Sequence, residues 1–552
     1  MTAIRFELLI AGVLIAACGG DANPAANDVA NDAGPKDDLP IQPGTLIKLG
    51  TGQLQGDTDG GTRRFRGIPY AKPPIGSQRW KAPQPIDTWP DVLQATAFGS
   101  ACPQSAWTQG PESLEEDCLF LNVWTPDPAP RSPLPVMVWL PGGGNQNGAA
   151  SDQSPLSGSA YIYDGRDLAE SRNVVVVTIN YRIGVMGFFA HAGLRSEGSI
   201  SGNQGLVDQQ VALQWVQRNI LAFGGDPKNV TLFGESAGSQ NTCLQVVAPG
   251  SRDLFHRAIS QSGGCTTFRR GQADAEQQVK AFVEAVGCAG ASNEVECLRS
   301  KPVRDLLITA PVDGATPGAP GGSQFNGGVA RWDFNPIVDG KVIPDQPRTL
   351  IETGKFARVP YLLGSNFEEG RLFLLTASAT TPARTEAEYL AALGRLFKDS
   401  APKVAEQYPV SAFPSPQDAL VRVWGDSRLG CTTYDSMRRV AAQGATAHAY
   451  TFARAIPGLE VIGPTHGVEL PYVFGTLASP GPDDRALSDS MQAYWTRFAK
   501  TGDPNGEGDL GWPAFAEASD QRMNLDVMPS VVSGFRRAEC DFWATIYDAA
   551  FR

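Results

Sequence analysis

Val230-Thr231-Leu232-Phe233-Gly234-Glu235-Ser236-Ala237-Gly238 is an apolar run closing on Gly-X-Ser-X-Gly, and the residues that follow read as a helix. Between strand and helix this pattern is a nucleophile elbow: the glycines let the chain turn so tightly that the serine hydroxyl stands clear of the sheet. With 60 glycines in the chain, the five-residue pattern alone carries little. The strand before it and the helix after it give it weight and make the chain a candidate serine hydrolase.

Outward from this turn, strand and helix signals alternate. Val136-Met137-Val138-Trp139-Leu140 and Val174-Val175-Val176-Val177-Thr178-Ile179 are unbroken apolar runs of the kind buried in a parallel sheet covered on both faces. Asp208 to Ile220 carries apolar residues at helical spacing and is expected to be amphipathic. Phe223-Gly224-Gly225-Asp226-Pro227 then breaks the helix ahead of the nucleophile strand, and Tyr361-Leu362-Leu363 and Ala449-Tyr450-Thr451-Phe452 suggest later strands. The stretch from Asp313 to Gly328 reads as a Gly/Pro-rich insertion loop. The fold class is therefore α/β, with a large, mostly parallel central sheet flanked by helices.

At 552 residues, 42% hydrophobic and 19% charged, the chain can bury a large core. Its net charge of -12 and the lack of any Lys/Arg cluster speak against nucleic acid as a partner. The apolar run Leu8 to Ala17 is too short to span a bilayer and suits the core of a signal peptide, residues 1–17. Ile15-Ala16-Ala17-Cys18-Gly19 is similar to the lipid-attachment box of bacterial lipoproteins, which makes Cys18 the expected lipidation site; a simply cleaved secretory signal is the alternative. Residues 18–44, rich in Ala, Asn, Asp, Gly and Pro, read as a flexible tether to a folded body at 45–552. The protein is thus expected to be exported, either held at the bacterial cell envelope, at the outer membrane, through lipid or secreted. With Cys18 set aside, eight cysteines remain: Cys102, Cys118, Cys243, Cys265, Cys288, Cys297, Cys431 and Cys540. An even number in an exported chain implies disulfides, and local spacing suggests Cys102 with Cys118 and Cys288 with Cys297. No Cys-X-X-Cys pair and no clustered histidines occur, so no metal or cofactor is expected.

A serine hydroxyl needs a base, and the chain has four histidines. His191 and His256 lie close to Ser236 in sequence, and His256 enters an apolar strand; His448 alternates within a strand. His466, in the loop Gly463-Pro464-Thr465-His466-Gly467, can be presented rather than packed, and it fits the chain order serine, acid, histidine. The acid is then expected just past the strand Tyr361-Leu362-Leu363, where Glu368 and Glu369 stand side by side and residue chemistry does not choose between them. Glu235 is a separate carboxylate that could tune charge at the site. Gly142-Gly143-Gly144, following a strand, can aim backbone N–H groups at an oxyanion, with the N–H of Ala237 as a further donor.

Gly67-Ile68-Pro69-Tyr70-Ala71-Lys72-Pro73-Pro74, Glu116-Asp117-Cys118-Leu119-Phe120-Leu121-Asn122-Val123, Asn180-Tyr181-Arg182, Gly202 to Leu206, the Ser236 motif, Gly463 to Gly475, Phe498 to Gly502 and Cys540-Asp541-Phe542-Trp543 together resemble the type-B carboxylesterase/cholinesterase family of α/β-hydrolases. The resemblance runs from about residue 45 to the C-terminus. It implies a carboxylesterase acting on small-molecule carboxylic esters through an acyl-enzyme, with Ser236 as nucleophile, Glu369 rather than Glu368 as the acid, His466 as the base, and Gly143, Gly144 and Ala237 as oxyanion donors. It also implies Cys102 with Cys118, Cys288 with Cys297 and Cys431 with Cys540, which leaves Cys243 to pair with Cys265. A non-catalytic surface-binding protein of the same fold is the rival expectation. Two departures stand out: Pro141 where the family commonly has His or Tyr, and Asn145 where an aromatic usually follows the glycines. Trp107 falls near the family's choline-stacking tryptophan, but in a shorter loop, so it is read as a surface or core aromatic.

Overall fold

The computed structural model describes residues 40–106, 109–158, 160–307, 334–376 and 383–551. Cys18, Trp107 and the stretch from Asp313 to Gly328 lie outside the described residues. An eleven-stranded sheet organises the chain. Its strands are β1 (Asp57–Asp59), β2 (Thr62–Pro69), β3 (Phe120–Pro126), β4 (Leu134–Leu140), β5 (Val175–Ile179), β6 (Gly225–Glu235), β7 (Arg257–Gln261), β8 (Tyr361–Asn366), β9 (Ala447–Phe452), β10 (Gln521–Leu525) and β11 (Ser530–Ser533). Their spatial order is β11-β10-β9-β8-β7-β6-β4-β5-β3-β2-β1. From β5 through β4, β6, β7, β8 and β9 to β10 the strands run parallel, and antiparallel strands close both edges.

The unbroken apolar strands are explained by where their side chains go. Val136, Val138 and Leu140 of β4 enter one core, with Val175 and Val177 of β5 and Leu232 of β6. Met137 and Trp139 enter the other, with Val176 and Phe233. Successive residues point to opposite faces, and helices cover both, so the buried positions on these strands are apolar but for Thr178 of β5 and Thr231 and Glu235 of β6. Helix α1 (Gln204–Asn219) departs from the amphipathic reading: it is buried over most of its surface, Asp208 included. That aspartate is tolerated because Arg182, itself buried, binds it through Nη2 at 2.7 Å and Nε at 2.8 Å.

Four disulfides join Cys102–Cys118, Cys243–Cys265, Cys288–Cys297 and Cys431–Cys540. All four are the expected pairs. Cys243 sits on α2 (Ala237–Val247), the helix that follows Ser236, so its bridge ties that helix to the segment after β7. The Cys431–Cys540 bridge spans 109 residues and restrains the unfolded chain most. No helix among the described residues is long and apolar enough to cross a membrane.

Candidate functional site

The side chains expected at the site gather where the parallel strands end. Ser236 stands between the last residue of β6 and the first of α2, with φ 58° and ψ −122°, a left-handed backbone that only a tightly held turn sustains. The flanking glycines are sterically required. A Cβ on Gly238 would lie 2.0 Å from the carbonyl oxygen of Leu140, and one on Gly234 would lie 2.5 Å from the carbonyl carbon of Gly238. The turn is held from the next strand, since Ser236 N donates to Gln261 O at 2.9 Å.

His466 lies in a turn before the short helix Leu470–Phe474. Its Nδ1 is 2.6 Å from Glu369 Oε2, and Nε2 is 3.0 Å from Glu235 Oε1, beside the serine. The loop position implies an imidazole presented rather than packed; it is 9% exposed and packs against the Phe373 ring at 5.0 Å. The choice between adjacent acids is made by their partners. Glu369 is buried, with Oε1 accepting from Asn366 N at 2.7 Å and Oε2 facing the imidazole. Glu368 points away to Arg371 at 2.6 Å and Arg422 at 3.2 Å.

A third carboxyl was not singled out from the sequence. Glu469, three residues past His466 and fully buried, accepts from Gln261 Nε2 at 3.1 Å and Asn366 Nδ2 at 2.6 Å. Asn366 Nδ2 also donates to Thr465 O at 2.7 Å, so Glu469 and Asn366 lock the His466 turn to the end of β8, just before Glu369. A glutamate inside a turn carries no local signal of this; only the fold brings Gln261 and Asn366 to it.

The electrostatics follow from three carboxyls around one imidazole. Burial acts to lower the His466 pKa but is outweighed by the carboxylates of Glu235 and Glu369, which push it up to about 9. Burial pushes Glu235 well above the ordinary carboxylate range, His466 opposes this, and the neighbouring Glu469 and Glu369 add to it. Glu469 is raised by burial and by Glu369. The cluster therefore exchanges protons as a unit rather than residue by residue.

Facing the serine, the loop after β4 carries Gly143 at φ 100°, Gly144 at φ 65° and Asn145 at φ 58°. Side chains are excluded here too: a Cβ on Gly143 would lie 2.2 Å from Asn147 O, and one on Gly142 would lie 3.1 Å from Ser236 Cβ. The second figure shows how closely this loop approaches the nucleophile turn. Ala237 is buried at the start of α2. Of the other histidines, His191 faces Glu294 at 3.2 Å, the His256 ring accepts from Val230 N at 3.1 Å, and His448 is buried within β9. None belongs to this site. Among the described residues no group of His, Cys, Asp and Glu side chains is arranged to hold a metal ion.

The sequence matches the carboxylesterase family over residues 43–543, nearly the whole chain. The chain belongs to the carboxylesterase family. This carboxylesterase is 34% identical over 553 residues to a cholinesterase of Mus musculus, covering 91% of this chain and 87% of the relative. It is likewise 34% identical over 549 residues to an acetylcholinesterase of Bungarus fasciatus, covering 92% and 87%. It is a serine hydrolase of carboxylic esters, with the α/β-hydrolase sheet described above.

Proposed function

We propose that this esterase acts on small carboxylic esters through an acyl-enzyme on Ser236. His466 takes the serine proton through Nε2 and returns it to the leaving alcohol, while Glu369 fixes the ring through Nδ1. Water then attacks the acyl carbonyl by the same route, and no cofactor enters the scheme. The N–H groups of Gly143, Gly144 and Ala237 hold the oxyanion of each tetrahedral intermediate. One observation carries this reading: a buried carboxylate at 2.6 Å orients an imidazole whose other nitrogen faces the nucleophile turn. A binding protein without activity would have no use for this arrangement beside a strained serine.

The pH dependence tests the role of His466. Neighbouring carboxylates stabilise the imidazolium, so the free base appears only as pH rises towards about 9, and kcat/KM is expected to climb on the alkaline side of neutrality. Glu235→Gln removes one of those charges and should move the climb to lower pH by about one unit. A kcat/KM without that alkaline rise would count against His466 as the base, and a profile that Glu235→Gln leaves in place would show that Glu235 carries no charge beside the imidazole.

We also propose that the chain is exported and tethered through lipid on Cys18, with residues 18–44 as the tether between a signal peptide, 1–17, and the catalytic body, 45–552. The four disulfides support an oxidising compartment, and the Ile15-Ala16-Ala17-Cys18 sequence supports the lipid. Palmitate is expected to label the wild type, and Cys18→Ser should lose the label and leave the membrane fraction. Equal partitioning of the two would refute the anchor.

A further inference from the structure

We propose that the Asn145–Asn241 hydrogen bond is a strut that sets the oxyanion hole, with both asparagines acting as positioning residues. The inference rests on the assignment of Gly143, Gly144 and Ala237 as oxyanion donors. Those donors come from two separate pieces of chain, the loop after β4 and the start of α2, so something must fix the distance between them. Asn145 directly follows Gly144. Asn241 lies four residues past Ala237, one helical turn along the same face of α2. Asn241 Nδ2 donates to Asn145 Oδ1 at 2.8 Å, joining the two pieces next to the donors.

The strut is braced on every side. Asn241 Nδ2 also donates to the Tyr181 hydroxyl at 3.2 Å, and that hydroxyl donates to Pro141 O at 2.7 Å, at the root of the glycine loop. Asn145 Nδ2 donates to Asn335 Oδ1 at 3.2 Å, and Asn145 O accepts from Gly184 N. Asn145, Asn241 and Tyr181 are all buried, so these bonds are made where water does not compete. The amide at 241 also has a cost: among the described residues its buried Oδ1 has no hydrogen-bond partner. A leucine would avoid that penalty, which points to the Nδ2 donors as the reason for an amide here. At position 145 the left-handed backbone favours Asn or Gly over other residues. The two unusual residues of this loop, Pro141 and Asn145, thereby belong to one network: the carbonyl of the first and the side chain of the second are both tied to Asn241.

The test compares Asn145→Gly, which keeps the backbone conformation, with Asn241→Leu, which keeps the side-chain bulk. Each is read for kcat, KM, melting temperature and affinity for a trifluoromethyl ketone, whose free, unhydrated carbonyl carbon is attacked by Ser236, with the serine proton passing to His466, to leave an oxyanion in the hole. The matching secondary alcohol, which cannot form that adduct, serves as the ground-state control. Loosening the hole by a fraction of an ångström is expected to lower kcat about 10- to 100-fold and weaken the ketone in proportion. KM and alcohol affinity should change by less than about threefold, because ground-state binding does not use the hole. The double variant should lose no more than the worse single one, since both break the same bond. If Asn241→Leu does not fold, Asn145→Gly decides alone. Unchanged ketone affinity, or losses that multiply in the double variant, would overturn the strut. Ser236→Ala separates this from the underlying assignment: if that variant still turns over ester, the assignment fails and the strut falls with it, whereas a dead Ser236→Ala beside a fully active Asn145→Gly removes the strut alone.

Discussion

Ser236→Ala is expected to lower kcat about 10⁶-fold, and His466→Ala by a similar factor, with the double variant no worse than either. The reason is that the two side chains form one device. A serine hydroxyl is a poor nucleophile until a base removes its proton during attack, and the imidazole has no role once that hydroxyl is gone. What survives should be the modest catalysis of substrate binding and the oxyanion donors. Folding should be preserved. Ser236 contributes little packing, and its backbone strain is held by the Gly234 and Gly238 contacts and by the bond to Gln261 O, which the substitution leaves in place. His466→Ala does open space beside Phe373, so its melting temperature should be measured with its turnover. Hydrolysis of an aryl acetate, corrected for the uncatalysed rate, gives the answer. Losses that multiply in the double variant would show that the two residues act separately.

Glu369→Gln is expected to cost about 10⁴-fold in kcat, while Glu368→Gln stays within about threefold of wild type. Both oxygens of Glu369 accept, one from Asn366 N and one at Nδ1 of the imidazole. A glutamine there must turn its NH₂ either against the Asn366 N–H or against Nδ1. The first opposes two donors in a dry site, and the second favours the tautomer that places the ring proton on Nε2, where the serine proton has to go. Glu368, half a turn away in direction, serves only the Arg371 and Arg422 ion pairs near the surface. The contrast between adjacent glutamates is a sharper test than either loss alone. Equal effects would mean that the histidine is oriented by something else.

How much of this was legible before the fold was known differs by residue. The parallel sheet could be read from Val136 to Leu140 and Val174 to Ile179, because strands covered on both faces leave no room for polar alternation. The elbow was legible because its glycines answer to contacts with neighbouring backbone that no side chain could survive. His466 followed from chain order and from elimination among four histidines. Between Glu368 and Glu369 local sequence gave no choice, since which way each carboxyl points depends on Arg371, Arg422 and the strand end; the resemblance indicated Glu369, and the geometry places it on the imidazole. Glu469, Asn366 and Gln261 stayed hidden for the same reason, lying on three different segments that only tertiary packing brings together. The burial of His466 and of Asp208 was also missed, because a loop or helix pattern does not reveal a charged or polar partner supplied from elsewhere in the chain. Asn145 was visible as an oddity, but its meaning required the position of Asn241.

The central claim is that ester turnover passes through a covalent bond to Ser236, formed with the help of the His466 and Glu369 pair. Incubation with a fluorophosphonate, followed by peptide mapping by mass spectrometry, tests it most directly. The account predicts one label per chain, on the peptide containing Ser236, appearing as activity is lost, absent from Ser236→Ala and greatly slowed in His466→Ala. A label on another residue, or undiminished ester hydrolysis by fully labelled protein, would contradict it.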